Sequence, residues 1–213
     1  LSTDGQFISQ SAFDQGLRQF PNKGEFELFL PAWISPENAA DPRWKPAMKR
    51  AIQALGRRIN CRDEMTAMLT IFPILINSMV VEMCSATGDI RASECLFQCI
   101  LNIWRSFYHI CQQMPGLKAE VIQRVNRFIQ SDAARRKKET PNIGHTLVLA
   151  SVLSNAEAAW SDFLDAFEQE TFLRRVFWWQ KDNIPMTPQA TFQACVISRN
   201  NAMFQALFRN VVL

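Results

Sequence analysis

Between Cys95 and Cys111 the side chains Cys95, Leu96, Cys99, Ile100, Ile103, Trp104, Phe107, Tyr108 and Cys111 recur at alternating steps of one and three residues. A helix gathers that set onto one broad side, because positions three and four apart stack at 3.6 residues per turn. Phe97, Leu101 and Ile110 fall off the stripe, so apolar groups cover most of the circumference. Such a helix belongs inside a bundle rather than on its rim. The segment dictates a helical core and carries no chemistry of its own.

The rest of the chain agrees with that core. With 213 residues, 48% hydrophobic and 20% charged, it has material for one sizeable domain and lies far from a disordered composition. Only 7 glycines against 16 phenylalanines and 6 tryptophans suit packed helices better than a sandwich with frequent turns. A net charge of +3 implies no polyanion partner by itself. The 6 cysteines are read as reduced core residues of an intracellular, cytoplasmic protein rather than as staples, since a chain this long needs none. The first twenty positions are polar and include Asp4, Asp14 and Arg18, which is not a secretory signal. Met65 to Cys84 comes nearest to a membrane span, but Thr66, Thr70, Pro73, Asn77, Ser78 and Glu82 interrupt it, and it reads as a core helix.

Prolines 21, 31, 36, 42 and 46 forbid long helix near the N-terminus, so residues 1–46 read as an arm, a weak helix followed by a Pro-rich extended segment. Trp33 and Trp44 are candidate anchors if the arm drapes over the helices, the alternative being that the arm is a surface a partner covers. Residues 47–213 are expected to form the helical domain. Helices are expected from Pro46 to Ile59 and from Asn60 to Cys84, the latter kinked or broken at Pro73. The Cys95–Cys111 helix ends at Pro115-Gly116, and an amphipathic helix follows from Leu117 to Ser131. Ala133 to Thr140 is either a basic extension of it or a solvated loop. Further helices are expected over Ile143–Leu153, Trp160–Gln180 and from Thr187-Pro188 onward, where a cap precedes a first-turn proline. The sum is an all-α, bundle-like single domain of about seven or eight helices.

Two patterns suggest contacts. From Leu117 to Lys138 seven basic residues face two acidic ones, and Arg124, Arg127, Arg135 and Lys138 would share a side if the helix continued. With Arg136 and Lys137 they form a candidate site for phosphates or an acidic surface, against the plainer alternative of a solvated face. Glu157, Asp162, Asp165, Glu168 and Glu170 form an acidic counterpart, explained by the helix dipole or by head-to-tail association with another copy. The second pattern is apolar. Adjacent Trp178 and Trp179 point about 100° apart on a helix, and Phe204, Leu207 and Phe208 leave the last helix apolar on several sides. Trp178, Trp179, Phe204 and Phe208 are the candidate partner-binding residues.

Enzyme signatures are missing. There is no G-x-G-x-x-G, G-x-x-x-x-G-K-[ST], H-E-x-x-H or G-x-S-x-G, and no C-x-x-C or histidine pair for zinc. A cysteine activated beside His145 lacks any marked partner, so no catalytic residue, metal or cofactor is expected. The sequence therefore reads as a non-enzymatic interaction or assembly module, a scaffold that binds another protein or itself. The alternative is a helical domain that binds RNA or another nucleic acid through the basic stripe at 124–138.

Overall fold

Asp63 starts the first long helix by accepting hydrogen bonds from the Thr66 N–H and the Thr66 hydroxyl, both at 2.8 Å. These satisfy a donor that the helix start would otherwise leave open, and they hold the Asp63 carboxyl below its ordinary range, the backbone bond contributing most. The structure, a computed structural model, describes residues 63–85, 90–182 and 187–212, with scattered positions from 46 to 61. Among these the chain forms seven helices and no strand: α1 (Glu64–Ser85), α2 (Ile90–Gln113), α3 (Pro115–Gln130), α4 (Asp132–Arg135), α5 (Ile143–Ser151), α6 (Trp160–Asp182) and α7 (Pro188–Val212). The chain is an all-α single domain. The Pro-rich arm expected over residues 1–46 lies outside the described residues apart from Pro46, which is helical.

The expected helix before α1 is present wherever it is described, at Pro46, Lys49, Arg50, Ile52, Gln53, Gly56 and Arg57. Asn60 ends it with φ at 55°, and the Cys61 N–H donates to the Gly56 carbonyl at 2.8 Å. Asparagine tolerates that left-handed turn better than most residues. Gly56 is required for a different reason: a Cβ there would lie 2.9 Å from the Cβ of Ala67 on α1.

Pro73 does not break α1, which continues from Glu64 to Ser85. Burial explains the continuity, since Met68, Leu69, Ile71 and Phe72 precede the proline and Ile76 and Val80 follow it, all in the core. Each such side chain contributes roughly 1.5–3 kcal/mol when fully buried, and together they exceed the ~3 kcal/mol a mid-helix proline costs. By length and composition α1 could cross a membrane; here it packs against α2, α5 and α7. Across from it, Phe72 stacks on Phe107 of α2 at 5.0 Å.

The α2 stripe behaves as its spacing predicts, with Ile100, Ile103, Trp104, Phe107 and Cys111 buried. Trp104 donates its indole N–H to Ser151 Oγ at 2.7 Å, and Ser151 donates on to the Val148 carbonyl at 2.8 Å. This relay ties α2 to α5 while giving both buried polar groups a partner. Helix α5 is the hub, packing against α1, α3, α6 and α7, and every residue from Thr146 to Ser151 is buried. Asn142 caps it by accepting from the Gly144 N–H at 2.9 Å.

Helix α3 begins at Pro115, so the Pro-Gly pair both stops α2 and opens α3, as a first-turn proline does. It does not continue into the basic segment. Ser131 is extended (φ −133°, ψ 110°), and its hydroxyl accepts from the Ala134 N–H at 3.3 Å to start the short α4. The shared helical side expected for Arg124, Arg127, Arg135 and Lys138 is therefore not formed.

Candidate docking face on the last two helices

Helix α6 changes character halfway. Its first half buries Phe163, Ala166, Phe167 and Glu170, with the Phe163 ring 5.5 Å from Phe128 and 6.0 Å from Phe167. At 100° per residue Leu173 and Phe177 continue that same side, yet they are 60% and 72% exposed. Phe172 and Trp178 are exposed too, while Trp179 turns inward and is buried.

Helix α7 is inverted. Among its described side chains the buried ones are Asn201, Gln205, Phe208 and Arg209, and the large exposed ones are Phe192, Met203 and Leu207. Phe192, Val196, Arg199, Met203 and Leu207 follow one another at steps of four, three, four and four, which draws one stripe down the outer side. Val196 is half-buried within it. On the inner side Phe208 anchors the helix, its ring 5.8 Å from Phe97, 6.3 Å from Trp104 and 6.4 Å from Phe204. The Asn201 side-chain N–H donates to Asn77 Oδ1 at 2.8 Å. Asn77 can stand there only because residue 144 is glycine, where a Cβ would come 2.1 Å from the same oxygen. Neither end of the Gln205 amide has a partner among the described residues, although the residue is fully buried.

Charge on this half of the chain is one-sided. From Thr171 onward the basic residues are Arg174, Arg175, Lys181, Arg199 and Arg209, and the acidic one is Asp182. Two of the cations are committed inward. Arg209 donates to the Leu153 carbonyl at 2.9 Å and to Asn155 Oδ1 at 2.7 Å and lies over the Trp160 ring; burial pushes its pKa down. Arg174 pairs with buried Glu170 at 2.6 Å and donates to the carbonyls of Arg135, Thr140 and Pro141. Lys181 and Arg199 stay exposed, Arg199 stacked 5.5 Å over Phe192. Both helices thus carry exposed apolar side chains, and on α7 an exposed arginine lies among them.

Of the four apolar residues expected at a contact, only Trp178 is exposed, and Phe204 is half-buried against the core. Trp179 and Phe208 are interior, which corrects their expected place in a contact. Leu207, part of the apolar pattern read from the sequence, is exposed, whereas Phe172, Leu173, Phe177, Phe192 and Met203 are exposed residues that the sequence reading does not single out. Their spacing is readable, but α7 offers apolar groups on two opposite sides, and spacing cannot say which side turns in.

The basic residues separate likewise. Arg135 is buried, donates to the carbonyls of Phe128 and Ile129, and pairs with Asp132. This corrects its expected role on a phosphate-facing stripe. Arg124 pairs with Glu120 at 2.7 Å and Arg127 with Glu139 at 3.5 Å. Arg136, Lys137 and Lys138 stand exposed on a turn, whose backbone is fixed by Arg174 and by the Thr140 hydroxyl donating to the Ala134 carbonyl at 2.8 Å. The acidic residues divide too: Glu157 pairs with Lys118 and Glu170 is buried, whereas Asp162, Asp165 and Glu168 are all exposed along the first half of α6.

No constellation for bond-making chemistry is assembled among the described residues. Burial raises the Cys111 thiol to about 12, so it is no nucleophile near neutral pH. Burial also lowers the His145 pKa, and its Nε2 lies 3.1 Å from the Asn142 side-chain amide. No group of three or more His, Cys, Asp or Glu side chains among the described residues converges as metal ligands would. No protein-family model, curated protein or solved structure matches the chain.

Proposed function

We propose that this domain is a non-enzymatic interaction module that receives a partner protein on the outer face of α6 and α7. One observation carries the reading: α7 turns Phe192, Met203 and Leu207 outward while burying Asn201, Gln205 and Arg209. Apolar groups left in water cost roughly 25 cal/mol per Å², and α7 leaves three large ones outside while its inner side holds Phe208 among polar groups. An outward stripe is consistent with a surface kept for a partner.

The test is site-specific photo-crosslinking. Benzoylphenylalanine at positions 177 and 203 is compared with the same group at Gln123 on the polar outer side of α3. A discrete adduct formed from 177 and 203 but not from 123, whose purified species binds at least about tenfold more weakly to Phe177→Glu and Met203→Glu proteins of unchanged Tm, supports the reading. The same adducts from all three positions overturn it.

A second reading rests on the turn at Arg136, Lys137 and Lys138, where three exposed cations follow one another on fixed backbone. We keep for it the capture of nucleic-acid phosphates. Binding of labelled single-stranded RNA that falls steeply with salt and vanishes when all three charges are reversed supports it; flat anisotropy at low salt removes it.

A further inference from the structure

The outer stripe of α7 runs from Phe192 to Leu207, about 22 Å at 1.5 Å per residue. That is the length of a four-turn helical contact. Its four-three-four-four spacing presents ridges that another helix matches with residues three and four apart. Arg199 interrupts the apolar groups and cannot leave without unstacking from Phe192, so whatever lies on this stripe has to answer a positive charge at its middle. Asp182 is the only carboxylate side chain in the sequence after Thr171, so α7 itself carries none to offset Arg199.

A two-fold contact with a second copy meets that demand poorly, because it sets Arg199 against Arg199, and like charges brought together at an interface oppose association. A head-to-tail contact that brings the copy's exposed Asp162, Asp165 and Glu168 to Arg199 is the self-association that light scattering detects. From these observations we infer that the occupant of the α7 stripe is an acidic amphipathic helix of another protein. Its apolar residues lie on Phe192, Val196, Met203 and Leu207, and its carboxylates face Arg199. The inference rests on the docking reading above and names the partner's chemistry.

The experiment titrates the full chain into a labelled helical peptide of about 18 residues, long enough to cover the stripe, with leucines at steps of four, three and four and glutamates on both flanks. The comparison peptide carries lysine in place of every glutamate. The expected result is binding of the acidic peptide, at least about tenfold weaker for the lysine peptide and for Arg199→Glu and Met203→Glu proteins, with Gln123→Glu as an unaffected control. Both tested side chains are exposed, so folding survives and far-UV circular dichroism verifies it.

Equal binding of both peptides overturns the inference, as does binding indifferent to position 203. So does uptake by phosphatidylserine-containing vesicles without peptide binding, since the surface is then a membrane face. A dimer in light scattering that Met203→Glu dissociates, or a crosslink from position 203 to residues 21–46 of the same chain, overturns the acidic-helix assignment. The dimer leaves the docking reading intact, whereas a monomer silent to peptide and crosslinker alike removes both.

Discussion

Helix α3 buries Leu117, Val121, Val125 and Phe128 and turns Gln123, Arg124, Arg127 and Gln130 to solvent, whereas α7 buries Asn201, Gln205 and Arg209 beside Phe208 and exposes Phe192, Met203 and Leu207. The two are held in different ways. Four apolar side chains seat α3 at roughly 1.5–3 kcal/mol each, a force with no direction. Among the described residues, buried Phe208 with half-buried Phe204 and a few directed bonds, to Asn77, Asn155 and the Leu153 carbonyl, seat α7. Each such bond contributes only about 1 kcal/mol net but tolerates one rotation of the helix. These directed bonds select one rotation of α7, and that rotation leaves its apolar stripe outside.

The comparison breaks most sharply at its two anchors. Phe128→Ala and Phe208→Ala each remove a buried ring and are expected to cost about 3–5 kcal/mol in denaturant unfolding; a small loss for Phe208→Ala would mean that α7 is not seated by its aromatic anchor. Gly144→Ala comes next. The new methyl displaces Asn77 and breaks its bond to Asn201, with an expected loss of about 1–3 kcal/mol, and Asn77→Ala in the same chain should recover part of it.

Gln205→Met sharpens the contrast in the other direction. It replaces an amide lacking partners among the described residues with an apolar group of similar size, and should leave stability unchanged or raise it by about 1 kcal/mol. A loss above that would show the amide to be bonded. Met203→Gln on the outer side should shift stability by less than about 0.5 kcal/mol, as Gln123→Ala on α3 should; a large drop at 203 would make the stripe part of the fold rather than a surface. The smallest effect concerns pH. Burial lowers the His145 pKa, so the unfolded chain binds the proton more readily and stability falls as pH drops below about 6.5. Tm measured across that interval should depend less on pH in His145→Gln.

Much of the fold is legible because local rules decide it. The α2 stripe fixes its own buried side, and Pro115 and Pro188 mark helix starts. The basic segment is harder, because a serine bond at residue 131 ends α3 where charge periodicity alone would extend it. Arg135 escapes sequence reasoning for a related reason. A guanidinium looks alike in sequence whether it meets water or the carbonyls of Phe128 and Ile129.

Composition and spacing by themselves determined an all-helical chain, the inner side of α2 and α3, and the lack of recognisable catalytic or metal motifs. These follow from periods of 3.6 residues and from turn chemistry, which act within one element. Only the tertiary structure decided which of the two apolar sides of α7 faces inward, and that α6 leaves Leu173 and Phe177 exposed on the side that its first half buries. The rotation of α7 depends on Phe97, Trp104, Asn77 and Gly144, contributed by three other helices. A helix with two apolar sides has no internal reason to prefer either; its neighbours supply the reason.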